Sequence, residues 1–317
     1  MPPESDYQYT VLQPEEHGCC RCPRNLFMTT RLIINADDFG LTRGINRAIL
    51  ELHQAGALTS ATLMANGPAF EDAIAIARAH PTLGVGCHVV LTDGVPLSPP
   101  ESIPTLLGPD GKSFRPTLSS FLKAILRGKI NEDEIAREAL AQIQRIQQAG
   151  IRLTHLDTHK HTHIFPGVAR PLLSIAEKTG VSAIRSPFEE PWSLALGHSS
   201  WIRSLQVRLI HPLRKRFKAL PQIREGRILT TDGTLGISAT GHLDAAALRD
   251  LLDTMPEGVW ELVCHPGYND RDLDAITTRL RATREIEYSA LLSAFDSLHP
   301  SRPELIHYGE IIPERAE

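Results

Sequence analysis

Leu32-Ile33-Ile34-Asn35-Ala36-Asp37-Asp38-Phe39-Gly40 is a short apolar run that ends in two adjacent carboxylates. A run of this length bounded by polar residues reads as a buried strand. A strand end is a costly place for neighbouring like charges, because each raises the other's pKa unless a cation or a donor compensates. Histidines downstream supply partners for such a cation: Gly86-Cys87-His88, and the run His155-Leu156-Asp157-Thr158-His159-Lys160-His161-Thr162-His163.

Outward from this stretch, apolar runs of strand length alternate with segments of helical period. Strands are predicted near 31–36, 59–65, 84–91, 152–157, 181–185, 258–264 and 304–308, with a weaker one near 227–231. Such alternation marks a mostly parallel sheet covered by helices. Seven to eight units imply an α/β fold, a closed or nearly closed (β/α) barrel. Between the strands, Ile45, Ala48, Ile49 and Leu52 repeat at helical spacing before Gly56, and Ile135, Ala139, Ile143 and Ile146 do so before Gly150. Both glycines stand where a helix C-terminus favours one. The Pro- and Gly-rich stretch 92–116 reads as a long loop, and long loops in compact domains are usually functional.

The 317 residues, 42% hydrophobic, can bury a large core. Residues 28–317 read as one barrel domain, and the polar, aperiodic residues 1–27 as a disordered leader, with Met28 a natural start. The leader holds Cys19, Cys20 and Cys22, a cluster without the second half that a zinc site needs. Cys87 and Cys264 lie in apolar runs and read as small core residues. The net charge of −4 names no partner, and no nucleic acid is expected. No run approaches the roughly 18 apolar residues that span a bilayer, and no signal-peptide order is present. The chain is expected in the cytoplasm.

Asp37 and Asp38, His88, Asp157 and His159, and His265 all fall at or just beyond C-terminal strand ends, the rim that carries the active site in barrels of this type. One carboxylate and two imidazoles give a cation three protein ligands and leave positions for water and substrate. Asp38, His88 and His159 are assigned to that role. Asp37 is then free to act as general base, and His265 to protonate the leaving group. Taken singly each has a plainer reading: a helix cap for the Asp pair, a satisfied core histidine for His88, a strand cap for His265. Their joint placement at one rim favours the metal site.

The chain resembles the YdjC-like carbohydrate deacetylases, which carry N-A-D-D-F-G, G-x-H-x-x-L and H-x-D-x-H-x-H-x-H. These stand here at Asn35 to Gly40, at Gly86 to Leu91 and at His155 to His163, and the likeness runs from about Arg31 to residue 298. The resemblance implies a (β/α) barrel, one divalent ion (Mg²⁺ or Zn²⁺) held by the second Asp and two His, a homodimer, and removal of acetyl from an N-acetylated sugar. Within the family the chain is most similar to members associated with hopanoid biosynthesis, through Leu63 to Phe70, Ala77 to Pro81 and Ile184 to Pro187. That likeness implies an N-acetylglucosaminyl glycolipid substrate. Asn66, His163 and Arg185 are candidate substrate contacts, and Trp192 or Tyr268 candidate stacking partners for a sugar.

Residues 201–227 carry eight Lys or Arg against the single acidic Glu225, with Ile202, Leu205, Leu209, Leu213, Phe217 and Leu220 at near-helical spacing. Such a face can rest peripherally on an anionic membrane; an ordinary barrel helix with a solvated basic back is the alternative, and Pro212 would kink it. Three other chemistries compete with deacetylation. His155-x-Asp157 with a distant His imitates an Fe(II) oxygenase triad, but its usual antiparallel scaffold conflicts with the strand–helix alternation. A non-catalytic carbohydrate- or lipid-binding protein would not need a spare carboxylate beside a metal triad. Phosphatase chemistry lacks a Gly-rich anion loop here.

Overall fold

In the computed structural model, residues 30–196, 201–296 and 303–311 are described. The expected leader and its three cysteines lie outside them. In chain order the elements are β1 (Arg31–Phe39), α1 (Arg43–Gln54), β2 (Ser60–Leu63), α2 (Phe70–Ala79), β3 (Gly84–Val89), α3 (Leu118–Leu126), α4 (Glu132–Gln148) and β4 (Leu156–Thr158). There follow α5 (Pro166–Thr179), α6 (Pro191–Leu194), α7 (Trp201–Ile210), α8 (Leu213–Lys218), α9 (Pro221–Arg224), β5 (Gly233–Leu235), α10 (Ala245–Thr254), β6 (Val259–Cys264), α11 (Arg271–Asp274), α12 (Ala282–Asp296) and β7 (Glu304–Leu305).

The strands form one curled parallel sheet in the order β4-β3-β2-β1-β6-β5, with β7 beside the start of β1. Single parallel bridges, Leu156 with Ile184 and Glu189 with Thr234, link its two edges through the segment after α5. The runs expected as strands near 181–185 and 227–231 contribute only such bridges, Ala183 pairing with Leu229. Gly180 and Pro187 leave the first of them little length, and Pro cannot donate to a ladder. β5, which the sequence pattern does not announce, pairs with β6 instead.

The pleat of β1 sorts its side chains. Leu32 and Ile34 join the large core, whereas Ile33 packs in a separate small cluster with Ala183, Ile306 and Tyr308. Side chains two apart share a face, so Asn35 and Asp37 continue the face of Ile33. Helices cover the other face. α1 starts at Thr42, whose hydroxyl accepts from the Ile45 N–H at 3.2 Å, and buries Ile45, Ala48, Ile49 and Leu52. It ends before Gly56, whose φ of 71° suits a glycine.

α4 buries its expected apolar stripe and also Glu134, Glu138 and Gln142. These polar side chains hold the 92–116 loop. Glu138 accepts from the N–H groups of Leu97 (3.0 Å) and Ser98 (2.9 Å), and Glu134 accepts from the Thr105 N–H at 2.8 Å. The basic 201–227 segment is not one helix but three short ones, broken at Pro212 as the ring requires. Val207 and Phe217 are buried, while Leu205 and Leu209 are exposed.

Candidate metal centre

The side chains of the site reach it from the same end of the parallel sheet. Asp37 follows the pleat of β1. Asp38 would point to the helix-covered face, but its φ of 66° places it in the left-handed region, at an irregularity in the β1–β2 pairing between Ala36 and Phe39. Irregularities of this kind re-aim side chains, and here both carboxylates reach one rim. His88 on β3 lies opposite Asp157 on β4. His159 opens a tight turn in which Lys160 and His161 both have positive φ, 58° and 51°.

Asp38 Oδ1 lies 3.8 Å from His88 Nε2 and 3.7 Å from His159 Nδ1, and the two nitrogens are 3.3 Å apart. The circle through three atoms so spaced has a radius of about 2.1 Å, the length of a metal–oxygen or metal–nitrogen bond. One ion could therefore touch all three. The outer shell fits as well: His88 Nδ1 faces Asp157 Oδ1 at 2.8 Å, the carboxylate–imidazole arrangement that orients metal-ligating histidines. Asp37, His88 and Asp157 also lie within ligand range of one another, but a cation already fills that place. Arg185 reaches Asp37 Oδ1 at 2.6 Å, Asp157 Oδ2 at 2.5 Å and Glu261 Oε1 at 2.8 Å.

These neighbours set the charges. Burial would push the Asp37 carboxyl up, but the Arg185 guanidinium, aided by His88, outweighs it and holds Asp37 well below the usual carboxylate range. Asp38 is likewise depressed against burial, chiefly by Arg284 and then by His159. Burial opposes the charged form of both ligand imidazoles. In His88 the carboxylates of Asp157 and Asp37 win and raise it to about 9, whereas in His159 burial wins over Asp38 and lowers it to about 4. An ion bound here would have to displace the His88 proton.

Asp37, Asp38, His88, His159 and His265 lie together at this rim. His265 Nε2 stands 3.8 Å from Asp37 Oδ2, and its Nδ1 is buried without a hydrogen-bond partner. The expected substrate contacts are placed differently. Arg185 is fully buried beneath Asp37 and acts on the site through its carboxylates. His163 is fully buried too, with Nδ1 on Thr158 Oγ1 at 2.7 Å and Nε2 on the Arg185 carbonyl at 3.2 Å. Asn66 is partly exposed; it donates to the Val95 carbonyl at 2.9 Å and leaves its own carbonyl oxygen unpartnered. Tyr268 bonds Glu51 at 2.5 Å under Arg47, and Trp192 packs edge-on against Trp260 at the start of β6.

Thr62, Arg284 and Glu287 complete the site without having stood out in the sequence, and Asn35, Gly86 and His155 of the quoted motifs support it. Thr62 and Asn35 donate to Asp37 Oδ1 at 3.1 and 3.2 Å. Arg284 donates to Asp38 Oδ2 at 2.5 Å, and Glu287 accepts from the His265 N–H at 2.5 Å. His155 holds Asn35 at 3.2 Å and lies against Gly86, where an added Cβ would come 2.5 Å from the imidazole ring. The glycine before His88 therefore makes room for the histidine that opens the downstream run.

Fold and rim define a class: an α/β protein with a curled parallel sheet whose strand ends gather a carboxylate and two imidazoles able to hold a metal ion. Within it, residues 31–295 match the YdjC-like protein family, and the chain belongs to that family. A carbohydrate deacetylase from Brevibacillus brevis is 32% identical over 283 residues, covering 89% of this chain and 99% of its own. One from Mus musculus is 31% identical over 76% of this chain and 79% of its own. Among solved structures, a candidate cellobiose-phosphate cleavage protein from Enterococcus faecalis matches with a TM-score of 0.71 at 26% identity, over 88% of this chain and 98% of its own.

Proposed function

We propose that the protein is a carbohydrate deacetylase that hydrolyses the amide of an N-acetylated amino sugar with the help of one divalent ion, Zn²⁺ or Mg²⁺. The observation that carries this reading is the convergence of Asp38 Oδ1, His88 Nε2 and His159 Nδ1 beside a spare carboxylate and a spare imidazole. The relatives named as carbohydrate deacetylases supply the substrate class.

When bound, the ion would polarise the acetyl carbonyl and acidify water. The protein's own groups do the rest. Asp37 is held ionised by Arg185, so it is always free to accept a proton, at some cost in basicity. Arg185 donates to both of its oxygens, but Oδ1 also accepts from Thr62 and Asn35, whereas Oδ2, the oxygen facing His265, accepts from Arg185 at 3.0 Å and is the one proposed to take the proton of the attacking water. His265 gives a proton to the departing sugar nitrogen. Arg185 serves as a positioning residue.

The finer reading is a lipid-carried substrate, an N-acetylglucosaminyl hopanoid, handled by residues 28–317 as one cytoplasmic domain, dimeric and peripherally placed at the membrane. Exposed Leu205 and Leu209 beside the basic α8 favour such placement. Among the described residues no helix is long and apolar enough to cross a membrane. Acetate release from an N-acetylglucosaminyl hopanoid in detergent and from a chitin disaccharide, measured side by side, tests the proposal. Release only from the lipid supports the finer reading, release only from the disaccharide leaves a soluble-sugar deacetylase, and release from neither by metal-loaded protein rejects deacetylation of both.

A further inference from the structure

Arg284 opens α12, lies 246 residues from Asp38 in sequence and is 1% exposed. Its three guanidinium nitrogens go to three different segments. One donates to Asp38 Oδ2 at 2.5 Å, one to the Leu280 carbonyl at 3.0 Å and one to the His265 carbonyl at 3.4 Å. One turn further along α12, Glu287 accepts from the His265 N–H and, at 3.1 Å, from the Gly241 N–H. A single helix thus grips the peptide of the proposed proton donor on both sides and one oxygen of the proposed metal-binding carboxylate.

We propose that Arg284 is the positioning residue of the metal centre: by engaging Asp38 Oδ2 it leaves Oδ1 alone to face His88 and His159, and it holds that carboxylate in register with His265. The inference rests on Asp38 being a ligand. Without the guanidinium, the buried carboxylate has no fixed counter-charge and can rotate so that either oxygen, or both, faces the ion. Outer-shell partners of this kind are worth about ten- to a hundredfold in metal affinity. A lysine is a poor replacement, because an ammonium on a flexible stem lacks the planar fork that reaches three acceptors at once.

The test is metal affinity of the full-length, chelator-stripped protein, titrated with Zn²⁺ against a chromophoric chelator. Arg284→Met is expected to bind about ten- to a hundredfold more weakly than the parent, with Arg284→Lys in between. In an Asp38→Asn background, Arg284→Met should change nothing further. A folded Arg284→Met that binds Zn²⁺ as tightly as the parent overturns the inference; should that variant not fold, unchanged affinity in Arg284→Lys does so. If Asp38→Asn alone binds as the parent does, Asp38 is no ligand and the metal-centre reading falls, taking this inference with it.

Discussion

Asp38 works from a backbone that few side chains tolerate. Its φ of 66° lies in the left-handed region, which Asp and Asn enter more readily than other non-glycine residues. Asp38→Asn is therefore expected to fold and to lose ion binding and turnover together. Asp38→Ala should add backbone strain of about 1 kcal/mol, visible as a lower denaturant midpoint. Asp37→Asn should keep the ion yet lose turnover by about a hundredfold or more, checked by metal content beside acetate release; retained turnover would remove Asp37 as the base. The residues that meet here were legible in the sequence because each follows an apolar run, and parallel strands deliver their ends to one rim. Arg284 and Glu287 were not, since charged residues on an amphipathic helix read as its solvated back until the packing shows them turned inward.

At the scale of elements, α4 and the 92–116 loop behave as one unit. The sequence displays the apolar stripe of α4, but Glu134 and Glu138 look like solvent-facing charges, because no local pattern announces that a loop will cover them. Glu138→Ala removes the acceptors of two backbone N–H groups, and an orphaned buried donor costs about 1–3 kcal/mol. The expected outcome is faster proteolytic cleavage within 92–116 and a raised KM for the sugar, with kcat changed only a few fold. A second element-scale contact is β3 against His155. Gly86→Ala would drive a methyl into the imidazole and should destabilise the protein by about 1–3 kcal/mol, measured by urea unfolding.

For the molecule as a whole, the strand–helix alternation was enough to indicate a parallel α/β sheet that curls on itself. It was not enough to say which short runs pair continuously: 181–185 and 227–231 are too tightly bounded to do more than bridge, and β5 is only three residues long. The buried interior also fixes the response to acid. Burial, reinforced by Arg185, lowers His163 to about 3 and His155 well below the ordinary value. The unfolded chain takes up these protons near pH 6.5, whereas the folded protein refuses them. Their contribution to stability is thus present above about pH 6.5 and is lost as pH falls toward 3. In metal-free protein the urea midpoint should drop across that window, and His163→Gln should make the drop shallower. Acetate release before and after chelation shows whether Asp38, His88 and His159 hold an ion on which amide hydrolysis depends. Turnover should vanish when the ion is removed and return with one equivalent of Zn²⁺ or Mg²⁺; undiminished turnover by protein shown to be metal-free would rule out a role for the ion.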